Sequence, residues 1–329
     1  MNFLFLMDPL HTVIIEKDTS FILMLGAHRR GHKVFFLPDG GITRLNGKLH
    51  FHAVEVTPQR VATKPFIEHK SAALKETNVH AVFVRSDPPF DEQYLLNTWL
   101  LDLLPKHIPV INRPSGIRTV NEKIWATQFT SLIPPTLVGR NRKDLLDFLS
   151  QQKNIAAKPT GGHGGQSIFH VQSGGANTNV ILETLTRDWQ KEIILQKFVP
   201  ESKDGDKRIL LLNGEPLGAV LRMHAQDDHR NNFFAGGKPL RTEINARDRE
   251  IVSVLKPRLQ ELGLYLVGID VIGEYLIEVN VTSPTGLQEI NKLYGTRGED
   301  KILDFVENLI DRLKSTAYDK SEIRNSDLI

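Results

Sequence analysis

Apolar and polar positions change period several times along the chain, and each change marks an element. The clearest case is Val267–Pro284, VGIDVIGEYLIEVNVTSP. An apolar run over Leu264–Ile272 stops at Gly273-Glu274, and Tyr275–Val281 then alternates, with Ile277, Val279 and Val281 on one side and Glu278, Asn280 and Thr282 on the other. This predicts strand–turn–strand. Residues i and i+2 of a strand share a face, so Glu278 and Asn280 project together. A three-residue loop, Gly273–Tyr275, places Asp270 opposite Glu278, whereas a two-residue turn would send it to the other face. The three-residue loop is the expectation adopted, and it brings two carboxylates and an amide oxygen to one spot. Such a set suits a hard cation, and Mg²⁺ held by few carboxylates usually also holds nucleotide phosphates. A hairpin with one solvated face has the same pattern. Ser283-Pro284-Thr285-Gly286 adds a small polar turn where the acids end.

Ahead of this hairpin, strand and helix patterns alternate. Asn2–Met7 reads as a buried strand rather than a signal peptide, since its apolar run is short and lacks a basic flank. Asp18-Thr19-Ser20 can cap a helix over Phe21–Arg30 that Gly31 ends. Lys33–Leu37 and Val79–Arg85 read as strands, Leu95–Leu104 as a helix, and Val110–Asn112 as a short strand. The alternation predicts a parallel α/β sheet. Ligands gather at the carboxyl ends of such strands, where Asp8, Arg85 and Asp87 form a candidate rim.

Asn121-Glu122-Lys123 is expected to open a helix through Thr130, and Pro134-Pro135 marks a boundary. Lys143–Gln151 is helical. Ile155–Lys158 and Ile168–Val171 are strands flanking Gly161-Gly162-His163-Gly164-Gly165. Four glycines in five positions leave bare N–H groups that can fold over phosphates. The loop is neither a Walker loop nor a dinucleotide fingerprint, and flexible hairpins look similar. Glu192–Val199 is strand-like, and its end, Gln196-Lys197-Phe198-Val199, suits an adenine ring as well as it suits an ordinary strand terminus. Asn213-Gly214 between Ile209–Leu212 and Leu217–Leu221 is a hairpin turn. Arg208 and Arg222 fall at the open end of that hairpin, where they can neutralise phosphate bidentately or stand solvated at an edge. His224–Lys238 has no periodicity and reads as a long loop of the lid or disordered kind. Arg247–Leu262 and Asp300–Leu313 are helices, and Ser315–Ile329 reads as a loose polar tail.

Composition narrows the class without choosing within it. The 329 residues are 40% hydrophobic and 24% charged, an ordinary globular balance. A net charge of +2 implies neither a nucleic-acid nor a membrane partner. No cysteine is present, which excludes disulfides, thiolate zinc sites and thiol catalysis. No 18-residue apolar run spans a bilayer, so a cytoplasmic protein is expected.

The motifs, in order, resemble the ATP-grasp ligases, and among them the bacterial glutathione synthetases. The segments carrying the resemblance include VRSDPPFD, VNEKIWATQF, AKPTGGHGGQSIF, KDGDKRILLLNGEP, RNNFFAGG and VGIDVIGEYLIEVNVTSPTG, and they extend from Met7 to about Ile290. The resemblance implies an N-terminal parallel α/β domain (1–120), then two ATP-grasp subdomains (121–200 and 201–314) that sandwich the nucleotide, then a flexible tail (315–329). It implies that Lys123 and Lys158 hold ATP phosphates under a lid loop with Gly162, Gly164 and Gly165. Gln196, Lys197, Phe198 and Val199 take the adenine, and Asp206 belongs to the same nucleotide site. Asp270, Glu278 and Asn280 carry two Mg²⁺ ions, with Mn²⁺ as a substitute. Arg208 and Arg222 steady the transferred phosphoryl group, while Arg230 and Asn231 sit in a loop that closes over the intermediate. Asp18, Ser20, Arg85, Ser283, Pro284 and Thr285 meet γ-glutamylcysteine or glycine. The implied reaction is amide formation through an acylphosphate, by a homotetramer or dimer. Gly161 and His163 in the lid loop, Gln226–His229, and Gly286-Leu287-Gln288 depart from the family pattern, which keeps a related ligase with another acceptor or donor in view. A nucleotide-binding regulator without catalysis is the reading from another class.

Overall fold

The computed structural model describes residues 1–162, 167–223 and 238–326. Three sheets follow one another. The first contains β1 (Asn2–Leu6), β2 (Lys33–Leu37), β3 (Ile42–Leu45), β4 (Lys48–Pro58), β5 (Phe66–Lys75), β6 (Ala81–Val84) and β7 (Val110–Ile111). Its order is β3-β4-β2-β1-β6-β7, with β5 also on β4. The β2-β1-β6-β7 part is parallel, as the alternating pattern requires. The β3–β5 part is antiparallel and was not anticipated. Helix α1 (Thr19–Arg29) begins where Asp18 accepts the Phe21 N–H at 2.7 Å, the cap read from the sequence. Helices α2 (Glu92–Leu101) and α3 (Pro114–Thr119) complete this part.

The second sheet is antiparallel, with order β10-β9-β11-β8. It is built from β8 (Thr136–Gly139), β9 (Asn154–Pro159), β10 (Phe169–Gln172) and β11 (Ile193–Lys197). Helices α4 (Arg142–Gln152) and α5 (Thr178–Thr186) pack on it around their own core, which includes Leu145, Leu149, Leu182 and Leu195. The third sheet has order β14-β13-β12-β15-β16. Its strands are β12 (Asp206–Leu212), β13 (Glu215–Met223), β14 (Lys238–Leu240), β15 (Leu266–Ile272) and β16 (Tyr275–Asn280). Helices α6 (Ala246–Leu262), α7 (Leu287–Tyr294) and α8 (Gly298–Ser326) accompany it. The first and third sheets share continuous buried clusters: Leu4 and Val82 belong with Ile209 and Ile269, and Phe3 and Phe83 with Leu210 and Ile302. Asn112, fully buried, stitches them together by donating to the carbonyls of Leu266 (2.7 Å) and Val281 (2.8 Å) and accepting the Leu266 N–H (2.7 Å).

Three expectations need correction. The β15–β16 turn has two residues, because Ile272 pairs with Tyr275. Asp270 nevertheless opposes Glu278, because the register slips between Asp270 and Val271: Val271 pairs with Leu276, leaving Ile277 as the extra residue of a bulge. Turn and bulge each shift the face by one position, and the two shifts cancel. The helix expected over 121–130 is replaced by turns and a short 3₁₀ segment, Trp125–Gln128. Asn121 accepts the backbone N–H groups of Lys123 and Ile124 as an N-cap would, but after one four-residue step, Trp125 to Asn121, the backbone bonds run in three-residue steps, Thr127 to Ile124 and Phe129 to Ala126. The tail expected to be loose continues α8 to Ser326.

Candidate active site

Two clusters of polar residues meet at the Ser283–Thr285 turn. The first lies across the open end of the β12–β13 hairpin. Register alone sets up a row of charges: Asp206 faces Arg222, Arg208 faces Asp270, and Asp270 faces Glu278. Arg208 donates to both Asp270 oxygens, at 2.5 and 2.9 Å, and Arg222 donates to both Asp206 oxygens, at 2.7 and 2.6 Å. Arg222 also reaches Asp270 at 3.0 Å. Both arginines are buried. Burial alone would raise the Asp270 carboxyl, but Arg208 and Arg222 outweigh it and hold the group well below the ordinary carboxylate range.

The lysines join from the second sheet and its approach. Lys123 Nζ donates to Glu278 and to the Gly162 carbonyl, both at 2.8 Å, so the lysine, the start of the glycine loop and the β16 carboxylate form one unit. Burial opposes its charge, yet Glu278 holds the ammonium above its usual value. Lys158 on β9 is buried and donates to Gln196 Oε1 at 3.1 Å. Burial brings it down to about 8 against the attraction of Glu278. Gln196 in turn donates to Thr136 at 2.9 Å, so its side chain positions the lysine. Beyond it the Lys197 and Phe198 N–H groups are spent on the carbonyls of Pro135 and Asn154, whereas the Val199 N–H donates to no described backbone acceptor. Gly164, Gly165, Arg230 and Asn231 lie outside the described residues.

Glu122 is a member that sequence reasoning missed. Its carboxylate accepts the Val281 and Thr282 N–H groups and the Thr282 hydroxyl, at 2.8, 3.0 and 2.9 Å. It thereby ties the segment carrying Lys123 to the end of β16. Burial and the nearby Glu278 charge raise its carboxyl. The Asn121-Glu122-Lys123 motif drew attention to Lys123, and nothing local singles out Glu122, since the clamp exists only in three dimensions.

The second cluster lies at the carboxyl ends of β1 and β6. Arg85, buried, donates from Nε to Ser20 at 3.0 Å and from Nη2 to the Pro284 carbonyl at 3.1 Å. Asp8 accepts the Asp87 N–H at 2.9 Å, and Ser283 donates to Asp87. A cavity opens here, with walls that include Asp18, Ser20, Arg85 and Thr285. The rim and substrate residues expected from the sequence are thus brought together. The clusters share a wall: Arg208 donates to the Thr285 carbonyl at 3.2 Å, one residue from the carbonyl that Arg85 holds.

For a cation, the donors on offer are the oxygens of Glu278 and Asn280 beside Asp270. The Asn280 amide nitrogen points to Asp270 at 3.4 Å, which leaves its oxygen directed elsewhere. Asp270 already accepts three guanidinium contacts of the about four a carboxylate offers. No group of three or more His, Cys, Asp or Glu able to hold a metal exists among the described residues. Few protein oxygens is the donor set of a cation that takes its remaining ligands from phosphates and water, so the residues fit.

Solved structures with the same architecture include D-cycloserine synthetase DcsG, with a TM-score of 0.64 at 15% identity over 94% of this chain and 99% of that one. They also include a RimK domain ATP-grasp protein from Sphaerobacter thermophilus, with a TM-score of 0.59 at 13% identity over 93% of this chain and 99% of that one. That likeness is one of fold, and the class, an ATP-grasp ligase, is shown by two family-model matches. Residues 1–118 match the family model of the prokaryotic glutathione synthetase N-terminal domain, and residues 122–295 match that of its ATP-grasp domain. Glutathione synthetase of Synechocystis sp. is 40% identical over 93% of this chain and 99% of its own length, and that of Pseudomonas aeruginosa is 38% identical over 91% and 95%. The chain belongs to the prokaryotic glutathione synthetase family.

Proposed function

We propose that the chain joins glycine to the cysteinyl carboxylate of γ-glutamylcysteine at the expense of ATP, giving glutathione, ADP and phosphate. The observation that carries this reading is the shared wall. Arg85 and Arg208 grip adjacent carbonyls, Pro284 and Thr285, so a carboxylate in the Arg85 cavity lies beside the arginines that would face the γ-phosphate. Lys123 and Lys158 are assigned to the ATP phosphates, the strand end Gln196–Val199 to the adenine, and Asp206 to holding Arg222 in place. Gly162, Gly164 and Gly165 are assigned to the phosphate cover, and Arg230 and Asn231 to closure over the intermediate. Glu278 and Asn280, with Asp270 behind them, would hold Mg²⁺, two ions in this reading, which when bound neutralises phosphate charge.

The cysteinyl carboxylate oxygen attacks the γ-phosphorus and ADP departs. The amine of glycine then adds to the acyl carbon, and the tetrahedral intermediate expels phosphate, which keeps the carboxylate oxygen. No protein nucleophile is needed. Arg208 and Arg222 are fixed by Asp270 and Asp206 before substrate arrives, so they meet developing phosphoryl charge without reorganising. Acylphosphates hydrolyse readily, which is why the glycine loop beside Lys123 is assigned to excluding water. The three-part division at about residues 120 and 200 follows from the same reading. Assembly into a homo-oligomer is supported by the exposed side chains of Leu96, Trp99 and Leu103 on and just beyond α2, and light scattering of the purified chain tests it. A cytoplasmic location accords with the finding that no helix among the described residues is long and apolar enough to cross a membrane.

ADP release measured with ATP, Mg²⁺, γ-glutamylcysteine and glycine, each omitted in turn, tests the function. Release that needs all four, with glutathione as product, is expected. Undiminished release without glycine or without γ-glutamylcysteine would contradict it.

A further inference from the structure

Among the described residues, seven buried side-chain atoms have no hydrogen-bond partner, and three of them, Thr19 Oγ1, Arg85 Nη1 and Glu289 Oε2, belong to residues lining the cavity beside the Ser283–Thr285 turn. Buried polar atoms are rarely left unpaired without reason. Arg85 has committed Nε to Ser20 and Nη2 to Pro284, which leaves the Nη1 nitrogen of a buried cation without a partner. Glu289 stands in the first turn of α7, just beyond the turn that joins the two clusters. Burial pushes its carboxyl up, while its own backbone N–H, then Lys17, Arg208 and Arg222, pull it down, so it sits within the field of the phosphoryl-side arginines. The other carboxylates of the wall have partners: Asp18 accepts the Phe21 N–H and Asp87 the Ser283 hydroxyl.

One free cationic donor and one free anionic acceptor on the walls of a single cavity match a ligand group that carries both charges. A γ-glutamyl compound has such a group, because its peptide bond uses the side-chain carboxyl and leaves ammonium and carboxylate on the α-carbon. Glycine is also a zwitterion, but its amine must lose a proton to attack, and a carboxylate beside it would favour the ammonium form. We infer that Glu289 is a specificity-determining residue that binds the α-ammonium of the γ-glutamyl head group, with Arg85 Nη1 taking the α-carboxylate. This rests on the ligase reading above and names which end of the donor the cavity reads. Selection follows from the cost of leaving buried charged groups unpaired when an analogue lacks one partner.

The test compares three donors, γ-glutamylcysteine, glutarylcysteine (no α-ammonium) and 4-aminobutyrylcysteine (no α-carboxylate), in wild type and Glu289→Gln. Wild type should prefer γ-glutamylcysteine over glutarylcysteine by about tenfold to hundredfold in kcat/KM, the span expected of one hydrogen bond to a charged group. In Glu289→Gln that preference should shrink to within about threefold, with the preference over 4-aminobutyrylcysteine kept and the KM values for glycine and ATP unchanged. Arg85→Lys should show the converse pattern. A preference over glutarylcysteine that survives in Glu289→Gln overturns the inference, as does an equal loss on all three donors or a rise confined to the KM for glycine. Those outcomes leave the ligase reading standing. Wild type without ADP release on γ-glutamylcysteine and glycine would sink both.

Discussion

Replacing Asp270 by Asn should separate a residue that builds the site from one that only contacts ligand. Asp270 is 6% exposed and holds Arg208 (6%) and Arg222 (4%) through contacts of 2.5, 2.9 and 3.0 Å. Asn preserves size and one acceptor oxygen but removes the negative charge. Arg222 keeps Asp206, whereas Arg208 keeps the Thr285 carbonyl and at most the one remaining side-chain oxygen at position 270. Breaking a buried ion pair by removing one partner costs about 3–5 kcal/mol. With one acceptor retained, the lower end, about 3 kcal/mol, is expected. Chemical denaturation followed by tryptophan fluorescence measures it as a lowered midpoint. Turnover should fall at least about a hundredfold at saturating substrates, since Arg208 loses its two-oxygen anchor and the negative charge between the two arginines is gone. A variant with wild-type stability would refute the claim that Asp270 anchors the buried arginines. Wild-type turnover with reduced stability would refute their role in the reaction.

Glu278→Gln should behave differently. Its side chain is 20% exposed and its partner, Lys123, keeps the Gly162 carbonyl and gains a neutral amide in place of the carboxylate, so unfolding should shift by about 1–3 kcal/mol, while turnover falls steeply and the apparent Mg²⁺ requirement rises in steady-state titrations. Lys158, brought down to about 8 by burial, is charged below that pH and neutral above it. The kcat/KM for ATP should therefore drop as pH rises through about 8, and Lys158→Arg, if it folds, should move that limb beyond pH 9 in a pH–rate profile. Gly205 has φ +103°, and a Cβ there would lie 2.7 Å from the Arg222 carbonyl oxygen. Gly205→Ala should lose about 1–3 kcal/mol in denaturation and disturb the Asp206–Arg222 pair.

The parts of the fold legible in the sequence are those whose signal is local. Asn213-Gly214 forms the two-residue turn its chemistry demands, with Asn213 at φ +52° and Gly214 at +79°. The Asp18 cap is likewise a three-residue signal. Strand β5 escaped notice because it is mostly exposed and mixes charged, polar and small residues without alternation. The last turns of α8 escaped because the apolar spacing that predicts a helix gives way to polar residues after Leu313. Asp270 and Glu278 were placed together through a loop of the wrong length. Period-two counting has no term for a bulge, and here the turn and the bulge compensate. At the site, residues on neighbouring strands were readable as a row, because register follows from the hairpins. Contacts between Ser20, Arg85 and Pro284, or between Glu122 and Thr282, join segments far apart in sequence. No local pattern encodes those, so Glu122 and Glu289 emerge only from the folded chain.

The central claim is that the carboxylate is activated by phosphorylation between the two clusters. It is tested most directly with γ-glutamylcysteine carrying ¹⁸O in both oxygens of its cysteinyl carboxylate. Turnover with ATP and glycine should place one ¹⁸O in each phosphate released and leave the other in the new amide, as read by mass spectrometry. Glutathione formed alongside unlabelled phosphate would contradict the acylphosphate route, and with it the assignment of Arg208 and Arg222 to the transferred phosphoryl group.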